Sequence, residues 1–187
     1  MKFVAISSSV LALLLVHSAF AQSLPSKIHG YKLYETNVVV INADDASADK
    51  KNADVAVRFF KPKVTGMGAS GVTLEVSAEM TALSRSGSVD LMMFRDFGIN
   101  GIDIEIEEYN TPFEFKKGET IKFAKPARIT ISAASVAKGS YKELMGSKDD
   151  WSVTGTILVF GKFKKFGIGL KRVVPVRIDL GLKSLLR

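Results

Sequence analysis

The chain has 187 residues, no cysteine and a formal net charge of +7 at pH 7. Because it has no cysteine and only two histidines, one of them within the first 21 residues, a zinc site built from cysteine and histidine is excluded in a single chain. A chain of this length has room for one domain with its own hydrophobic core, and without disulfides that core must stabilise the fold alone.

Residues 1–21 have the pattern of a secretory signal peptide. Lys2 supplies a positive charge, residues 4–16 are apolar, and a small-x-small cleavage site ends at Ala21. The apolar run is shorter than the roughly 20 residues that a membrane-spanning helix needs, so cleavage is favoured over an uncleaved anchor. The sequence therefore predicts an exported protein, periplasmic or extracellular, that is soluble after cleavage.

Residues 22–60 are predicted to contribute a pair of strands to the same domain as the rest of the chain. Ile28 to Asn42 is rich in aromatic and β-branched residues, and Asp54 to Phe60 alternates apolar and polar side chains. The small, acidic segment 43–54 between them predicts a long solvated connection. The two strands are therefore expected to form a hairpin.

Residues 61–187 are predicted to form an antiparallel β-sandwich, immunoglobulin- or fibronectin-like in appearance, with one short helix. A flexible turn over 65–71 precedes an alternating strand from Val72 to Met80. Asn100-Gly101 predicts a tight turn, because both residues tolerate positive φ. The other expected elements are strands over 89–94, 102–106 and 127–133, a hairpin of 113–115 with 121–123, and a short helix within 134–146.

The longest predicted elements are two strands within Trp151 to Leu180. Apolar and polar side chains alternate along 151–160 and again along 174–181, as in strands with one buried face. Between them, Gly161 to Arg172 predicts a basic bend punctuated by glycines. Residues 161–187 carry eight basic side chains and one acidic, whereas residues 22–160 carry 17 basic and 18 acidic. The positive charge of the exported chain is therefore concentrated in its last segment.

No arrangement of catalytic or metal-binding residues emerges from the sequence. Asp103, Glu105 and Glu107 alternate with isoleucines, so a solvated strand face explains them better than a cation site or an acid–base pair. The Gly-x-Gly-x-x-Gly letters at 66–71 precede a strand instead of a helix, which predicts a turn and not a phosphate cradle. The aspartates of 44–49 have part of the spacing of a calcium loop but lack its glycine and glutamate. We therefore predict no catalytic residue, metal ion or cofactor.

The predicted basic bend is the candidate contact surface. Its lysines flank phenylalanine rings, which suits an anionic lipid surface: the rings would lie at the headgroup boundary and each cation would contribute about 1 kcal/mol. A positively charged loop that keeps a strand edge soluble is the alternative. Export argues against nucleic acid as the partner. The candidate residues are Lys162, Phe163, Lys164, Lys165, Phe166, Lys171 and Arg172.

A series of short motifs runs through residues 61–181. They are Lys61-Pro62-Lys63-Val64, Ile99-Asn100-Gly101-Ile102, Pro112-Phe113 with Lys117-Gly118, Val153-Thr154-Gly155-Thr156 and Val174-Pro175-Val176. Their order resembles that of the late-embryogenesis-abundant type 2 proteins, also called the water-stress and hypersensitive-response domain, although Ser84-Arg85-Ser86-Gly87 replaces the family's Asn-Pro-Asn turn. The resemblance implies a seven-stranded antiparallel β-sandwich with one helix, stress protection, lipid binding as in some related sandwiches, and no catalytic residues.

Two functions from different classes follow. The first is an exported, non-catalytic β-sandwich that protects against desiccation or stress, or binds lipid at the cell envelope. The second is an assembly module that pairs with another envelope protein through an exposed strand edge, since Ile28 to Asn42 lacks proline. An apolar cavity between the sheets would favour a hydrophobic ligand, and a tightly filled core would favour a protective role. The sequence makes no prediction of oligomeric state.

Overall fold

The structure is a computed structural model and describes residues 24–42, 52–135, 151–165 and 168–182. The described residues confirm the predicted mainly β class, since they form fifteen strands and one short helix. The strands are β1 (Lys27–Ile28), β2 (Tyr31–Leu33), β3 (Val38–Asn42), β4 (Val55–Phe59), β5 (Lys63–Gly68), β6 (Gly71–Val76), β7 (Ala78–Ala82), β8 (Gly87–Ile99), β9 (Ile102–Asp103), β10 (Glu105–Ile106), β11 (Phe113–Phe115), β12 (Thr120–Lys122), β13 (Ala127–Ser132), β14 (Trp151–Lys165) and β15 (Ile168–Leu182), and the helix is α1 (Ala133–Ser135).

Three predicted features lie outside the described residues. They are the signal peptide over 1–21, the acidic aspartates of 44–49, and the part of the predicted helix beyond Ser135. Within the described ranges, no helix is long and apolar enough to span a bilayer.

The strands form a sandwich-like arrangement with the main apolar core between its layers. One layer is a seven-stranded sheet in the order β1-β2-β15-β14-β8-β11, with β9 also paired to β8. The other consists of two four-stranded sheets, β10-β13-β6-β5 and β12-β7-β4-β3. Because only Ser77 separates β6 from β7, and short gaps separate β4 from β5 and β12 from β13, these two sheets continue each other as one interrupted layer.

The predicted pair of long strands near the carboxyl end is confirmed. β14 and β15 form an antiparallel ladder from Trp151↔Leu182 to Lys165↔Ile168, so the strands run through most of the segment predicted as a bend. Lysine and phenylalanine alternate over Lys162, Phe163 and Lys164, which extends the period-two strand pattern into that segment. Gly161 allows β14 to lie close to β8, because a Cβ at this position would meet the backbone carbonyl oxygen of Ser88 in β8.

The prediction of a hairpin between the two amino-terminal strands is wrong. β3 and β4 pair in parallel, with Val38 opposite Val55. The starts of both strands are held side by side, since the Asp54 backbone N–H donates to the Asn37 carbonyl at 2.8 Å and the Thr36 hydroxyl donates to the Asp54 carboxylate at 2.6 Å. A long connection between the strands is compatible with this parallel arrangement.

Two shorter predictions are also corrected. β11 pairs with β8 in the large sheet and β12 pairs with β7 in the opposite layer, so residues 113–123 cross between layers and do not form a hairpin. The predicted turn over 65–71 is mostly strand, because β5 runs to Gly68 and pairs with β6 around a register shift near Gly66. The predicted tight turn at Asn100-Gly101 is confirmed, with φ of 51° and 77°.

A second, smaller apolar cluster lies on the opposite face of the large sheet. Leu158, Phe160 and Val173 are fully buried there beneath the β1–β2 hairpin. The hairpin turns at His29-Gly30, where both residues have positive φ, as in the tight turns that suit twisted strands. The Tyr31 ring packs edge-on against Phe160 at 5.3 Å, and the Tyr31 hydroxyl donates to Asp90 at 2.8 Å. This hairpin therefore shields the outer face of β14 from water.

Candidate functional site: an apolar cavity between the layers

The space between the layers contains an apolar cavity of about 80 Å³. Residues of both layers line it, so the cavity lies at the interface between the layers and is not a groove on the surface. Representative wall residues are Val57, Phe59 and Met80 from one layer and Val89, Met92 and Val159 from the other. Alternating strands bring these side chains together because every second residue faces inward. The lining suits an apolar ligand, which would gain burial without losing hydrogen bonds to water.

A second apolar cavity of about 60 Å³ adjoins the first. The two share five lining residues, Phe59, Val76, Phe94, Ala127 and Ile157, and therefore lie along the same seam between the layers. A cavity of about 150 Å³ lined by apolar side chains accepts benzene. The seam is therefore of the size that holds an apolar group of about six carbon atoms.

Four neighbouring residues with polar groups, Tyr34, Thr36, Asp54 and Arg85, line the larger cavity with their apolar atoms, and we call this group the mouth. The Arg85 guanidinium lies over the Tyr34 ring, 5.2 Å from its centroid, within cation–π range. Among the described residues, Arg85 forms no ion pair. The mouth therefore holds two half-buried charged residues, Arg85 and Asp54, beside an otherwise apolar chamber.

The Asp54 carboxylate ties three chain segments together at the mouth. It accepts hydrogen bonds from the Ser84 hydroxyl, from the Thr36 hydroxyl at 2.6 Å and from the Asn37 backbone N–H at 3.4 Å. These donors, with the Ser84 hydroxyl first, hold the pKa of Asp54 below its usual value, and the charge of Arg85 adds a smaller effect. Both oxygens of the Asp54 carboxylate therefore accept hydrogen bonds from the protein itself.

The basic end of the β14–β15 ladder lies beside the mouth. The Lys164 backbone N–H donates to the Ser86 carbonyl at 2.9 Å, and Ser86 directly follows Arg85. From the other side, the Tyr34 backbone N–H donates to the Val173 carbonyl at 2.9 Å. The candidate contact surface and the cavity, which the sequence could not connect, are therefore neighbours.

The ladder divides the seven candidate contact residues between two faces. Lys162, Lys164 and Lys171 lie exposed on the outer face, where Lys162 pairs with Lys171 and the Lys171 ammonium lies 5.8 Å from the centroid of the Tyr31 ring. We call these three lysines the basic face. The Lys165 side chain and Phe166 lie outside the part of the chain that the structure describes.

Phe163 and Arg172 occupy the other face. Phe163 is half-buried, packs against Phe115 with ring centroids 6.1 Å apart and lines the cavity. Arg172 is half-buried on the same side of β15 as the core residue Val174. Phe163 is therefore a wall of the chamber and does not lie among the lysines as the sequence prediction had it.

The other sequence candidates lie away from this chamber. Asp103, Glu105 and Glu107 are exposed, and Glu107 is 3.8 Å from the Arg128 guanidinium. A polar surface groove of about 450 Å³ lies nearby, but its charged walls pair with one another: Arg128 also contacts Glu75 at 3.8 Å. In the described ranges, no three carboxylate or histidine side chains come together as they would around a metal ion.

The strand edge predicted as an assembly surface is present as β3. This strand is the last in its sheet and pairs only with β4 among the described residues. Its residues, Val38 to Asn42, include no charge and no proline. Pairing with another chain through this edge stays a prediction.

Tyr34, Asp54 and Arg85 were not identified by sequence reasoning as a site. Arg85 lies in the Ser84-Arg85-Ser86-Gly87 turn, the place where the sequence departs from the family it resembles, and that departure was the signal available. Tyr34 is 51 positions away from Arg85 along the chain. Only the pairing of β2 with β15 and of β8 with β14 brings the two residues together.

Comparison with known proteins adds a distant structural likeness. The chain is similar to a crystal structure of a protein from Archaeoglobus fulgidus, with 13% identity, a TM-score of 0.35, and 69% of this chain and 97% of that chain covered. It is also similar to the solution structure of a putative late embryogenesis abundant protein, with 12% identity, a TM-score of 0.31, and 71% of this chain and 73% of that chain covered. No family profile and no curated protein matches the sequence. Similarity at this level does not assign a function.

Proposed function

We propose that the protein is an exported, non-catalytic β-sandwich that binds a small apolar ligand or a lipid chain between its layers at the cell envelope. The observation that supports this most is the pair of adjoining apolar cavities along the inter-layer seam. A purely protective sandwich would gain from a filled core, because each unfilled volume loses packing energy. Ligand binding is therefore favoured over structural protection alone.

Filling the cavity is expected to abolish ligand binding. Ala78 lines the larger cavity and is 4% exposed, so Ala78→Leu would add three carbon atoms to a space of about 80 Å³. We expect the affinity for octan-1-ol, measured by isothermal titration calorimetry, to fall about tenfold or more. The free energy of unfolding, measured by urea denaturation, should stay within about 1.5 kcal/mol of that of the parent protein, since the added carbons enter existing space.

Two further variants keep this experiment interpretable. Ala124→Leu makes the same change at an exposed position outside both cavities and should bind octan-1-ol as the parent protein does. Ala127→Leu alters a half-buried residue shared by both cavities and provides a second test if Ala78→Leu does not fold. Parent protein that shows no heat of octan-1-ol binding, or Ala78→Leu that binds unchanged, would contradict the proposal.

The proposal includes contact with an anionic membrane surface through the basic face, Lys162, Lys164 and Lys171. All three lysines are exposed on one side of the ladder, next to the mouth. An anionic leaflet attracts each such cation by about 1 kcal/mol. Membrane contact at this position would bring the mouth close to the lipid from which a ligand could enter.

Neutralising the basic face is expected to weaken membrane binding about 100-fold. The variant Lys162→Gln, Lys164→Gln, Lys171→Gln loses about 3 kcal/mol of attraction, which sedimentation with phosphatidylglycerol vesicles at low salt would measure. The matched control, Lys63→Gln, Lys122→Gln, Lys125→Gln, removes the same charge from exposed positions in the opposite layer and should bind nearly as the parent does. Equal sedimentation of both triple variants would contradict a specific basic face.

A further inference from the structure

We propose that the ligand is a single-chain amphiphile with an oxyanion head, whose chain enters the inter-layer cavity while Arg85 binds its head. This inference rests on the proposed ligand-binding function and narrows it to one chemical class. It assigns Arg85 as the residue that selects the head, and it places about six carbon atoms of an acyl or alkyl chain within the seam.

Arg85 is suited to bind an anion at the end of the cavity, because its side chain contributes carbon atoms to the apolar wall and its guanidinium lies beside that wall. A guanidinium offers five N–H donors in a planar fork that matches a carboxylate or a phosphate. The guanidinium carbon lies 5.2 Å from the centroid of the Tyr34 ring, a contact that uses the face of the ring and none of the five N–H donors in a hydrogen bond to a carboxylate. Among the described residues, no carboxylate forms an ion pair with it.

Asp54 is the acidic residue at the mouth. After the Ser84 hydroxyl and the other hydrogen-bond donors, the charge of Arg85 contributes to the lowered pKa of Asp54, so the two groups attract each other, but among the described residues they form no ion pair. One carboxylate oxygen accepts from the Thr36 hydroxyl and the Asn37 backbone N–H, and the other accepts from the Ser84 hydroxyl. Three donors from two segments, residues 36–37 and Ser84, hold the carboxylate in place. Arg85 is therefore the partner at the mouth that remains for an incoming oxyanion.

The surroundings favour the same orientation of ligand. The chamber behind Arg85 is lined by apolar side chains, so a charged head could not enter it without losing hydration. The basic end of the β14–β15 ladder lies beside the mouth, and its exposed lysines would attract an anionic head toward this end of the molecule. An amphiphile with a negative head thus satisfies both ends of the site, whereas an amphiphile with a positive head satisfies only the apolar end.

The test compares two eight-carbon probes that differ in the head. Isothermal titration with octanoate and with octan-1-ol should show tighter binding of octanoate to the parent protein. Arg85→Gln should weaken octanoate about tenfold or more, because charge-assisted hydrogen bonds are lost, and should leave octan-1-ol within about twofold. Arg177→Gln is the matched control, an exposed arginine on the outer face of β15, and should change neither affinity. Octyl phosphate in place of octanoate distinguishes a phosphate-headed source from a carboxylate-headed one.

The outcomes separate this inference from the function on which it rests. If octan-1-ol and octanoate bind the parent equally and Arg85→Gln changes neither, the head assignment is overturned and the apolar site stands. If Arg177→Gln weakens octanoate as much as Arg85→Gln does, diffuse charge and not the mouth attracts the head, which also overturns it. If neither probe binds the parent protein, both proposals fail. Unchanged octan-1-ol binding by Arg85→Gln shows that the variant is folded.

Discussion

Phe160→Ala is expected to lower the free energy of unfolding by about 3–5 kcal/mol. Phe160 is 0% exposed and lies at the centre of the smaller apolar cluster, between β14 and the β1–β2 hairpin. The substitution would leave a cavity under Tyr31, whose ring packs edge-on against Phe160. Urea unfolding followed by circular dichroism measures the loss, and the hairpin should become the first part of the chain to exchange its amide hydrogens.

An exposed residue serves as the control for Phe160. Ile168→Ala removes a large apolar side chain that is 65% exposed and should change stability by less than about 0.5 kcal/mol. Phe160 does not line the inter-layer cavity, so folded Phe160→Ala should bind octan-1-ol with the affinity of the parent protein. A loss below about 1 kcal/mol would mean that the hairpin does not depend on this cluster.

Gly71→Ala is expected to cost about 2–5 kcal/mol, from backbone strain and from a collision together. Gly71 has φ of +127°, a conformation that residues with a Cβ rarely adopt. A Cβ there would also meet the carbonyl oxygen of Ile131 and would lie 2.9 Å from the Ala133 nitrogen, and backbone atoms cannot move aside as a flexible side chain can. Thermal unfolding of the purified variant measures the effect.

Gly68 is the matched control within the same glycine-rich segment. A Cβ at Gly68 would have no atom within 4 Å, so Gly68→Ala should be nearly neutral, within about 0.5 kcal/mol. A difference between the two variants would show that, in the Gly-x-Gly-x-x-Gly segment, Gly71 is required by the turn between β5 and β6, where Gly68 pairs with Gly71. Equal costs for the two variants would show that Gly71 is not specially constrained.

Much of the secondary structure could be predicted because alternation is a local signal. The β14–β15 ladder and the Asn100-Gly101 turn were each visible in a few consecutive residues. The single strand predicted over residues 72–80 is wrong in one respect, since the structure divides it at Ser77 into β6 and β7, which belong to different sheets. Which strands pair with each other was harder to predict from the sequence. The parallel β3–β4 pair depends on Asp54 holding Thr36 and Asn37, and residues 113–123 cross between layers because their partners lie in different sheets. Neither partner can be read from neighbouring residues.

The candidate site was harder to predict than the fold. The sequence marked the lysines of the carboxyl-terminal segment by their excess of charge, and three of them do lie together on one exposed face. It counted Phe163 among them, because a bend with glycines hides which face each residue takes. Tyr34 gave no signal, since a single aromatic ring in a strand is ordinary, and the only signal for Arg85 was the unusual turn in which it lies. A cavity depends on side-chain packing between layers, which alternation alone does not encode.

The order of the large sheet has a consequence for how the chain acquires its structure. β2, near the amino end, pairs in parallel with β15, near the carboxyl end, and Phe160 and Val173 complete the cluster under the hairpin. The hairpin therefore has no surface to dock on until the last strands have been synthesised, and pairings this distant form slowly. The large sheet therefore cannot be completed until β14 and β15 have been synthesised. Delayed folding would help the proposed export, since a chain that has not yet closed its sheets can still be threaded through a translocation pore.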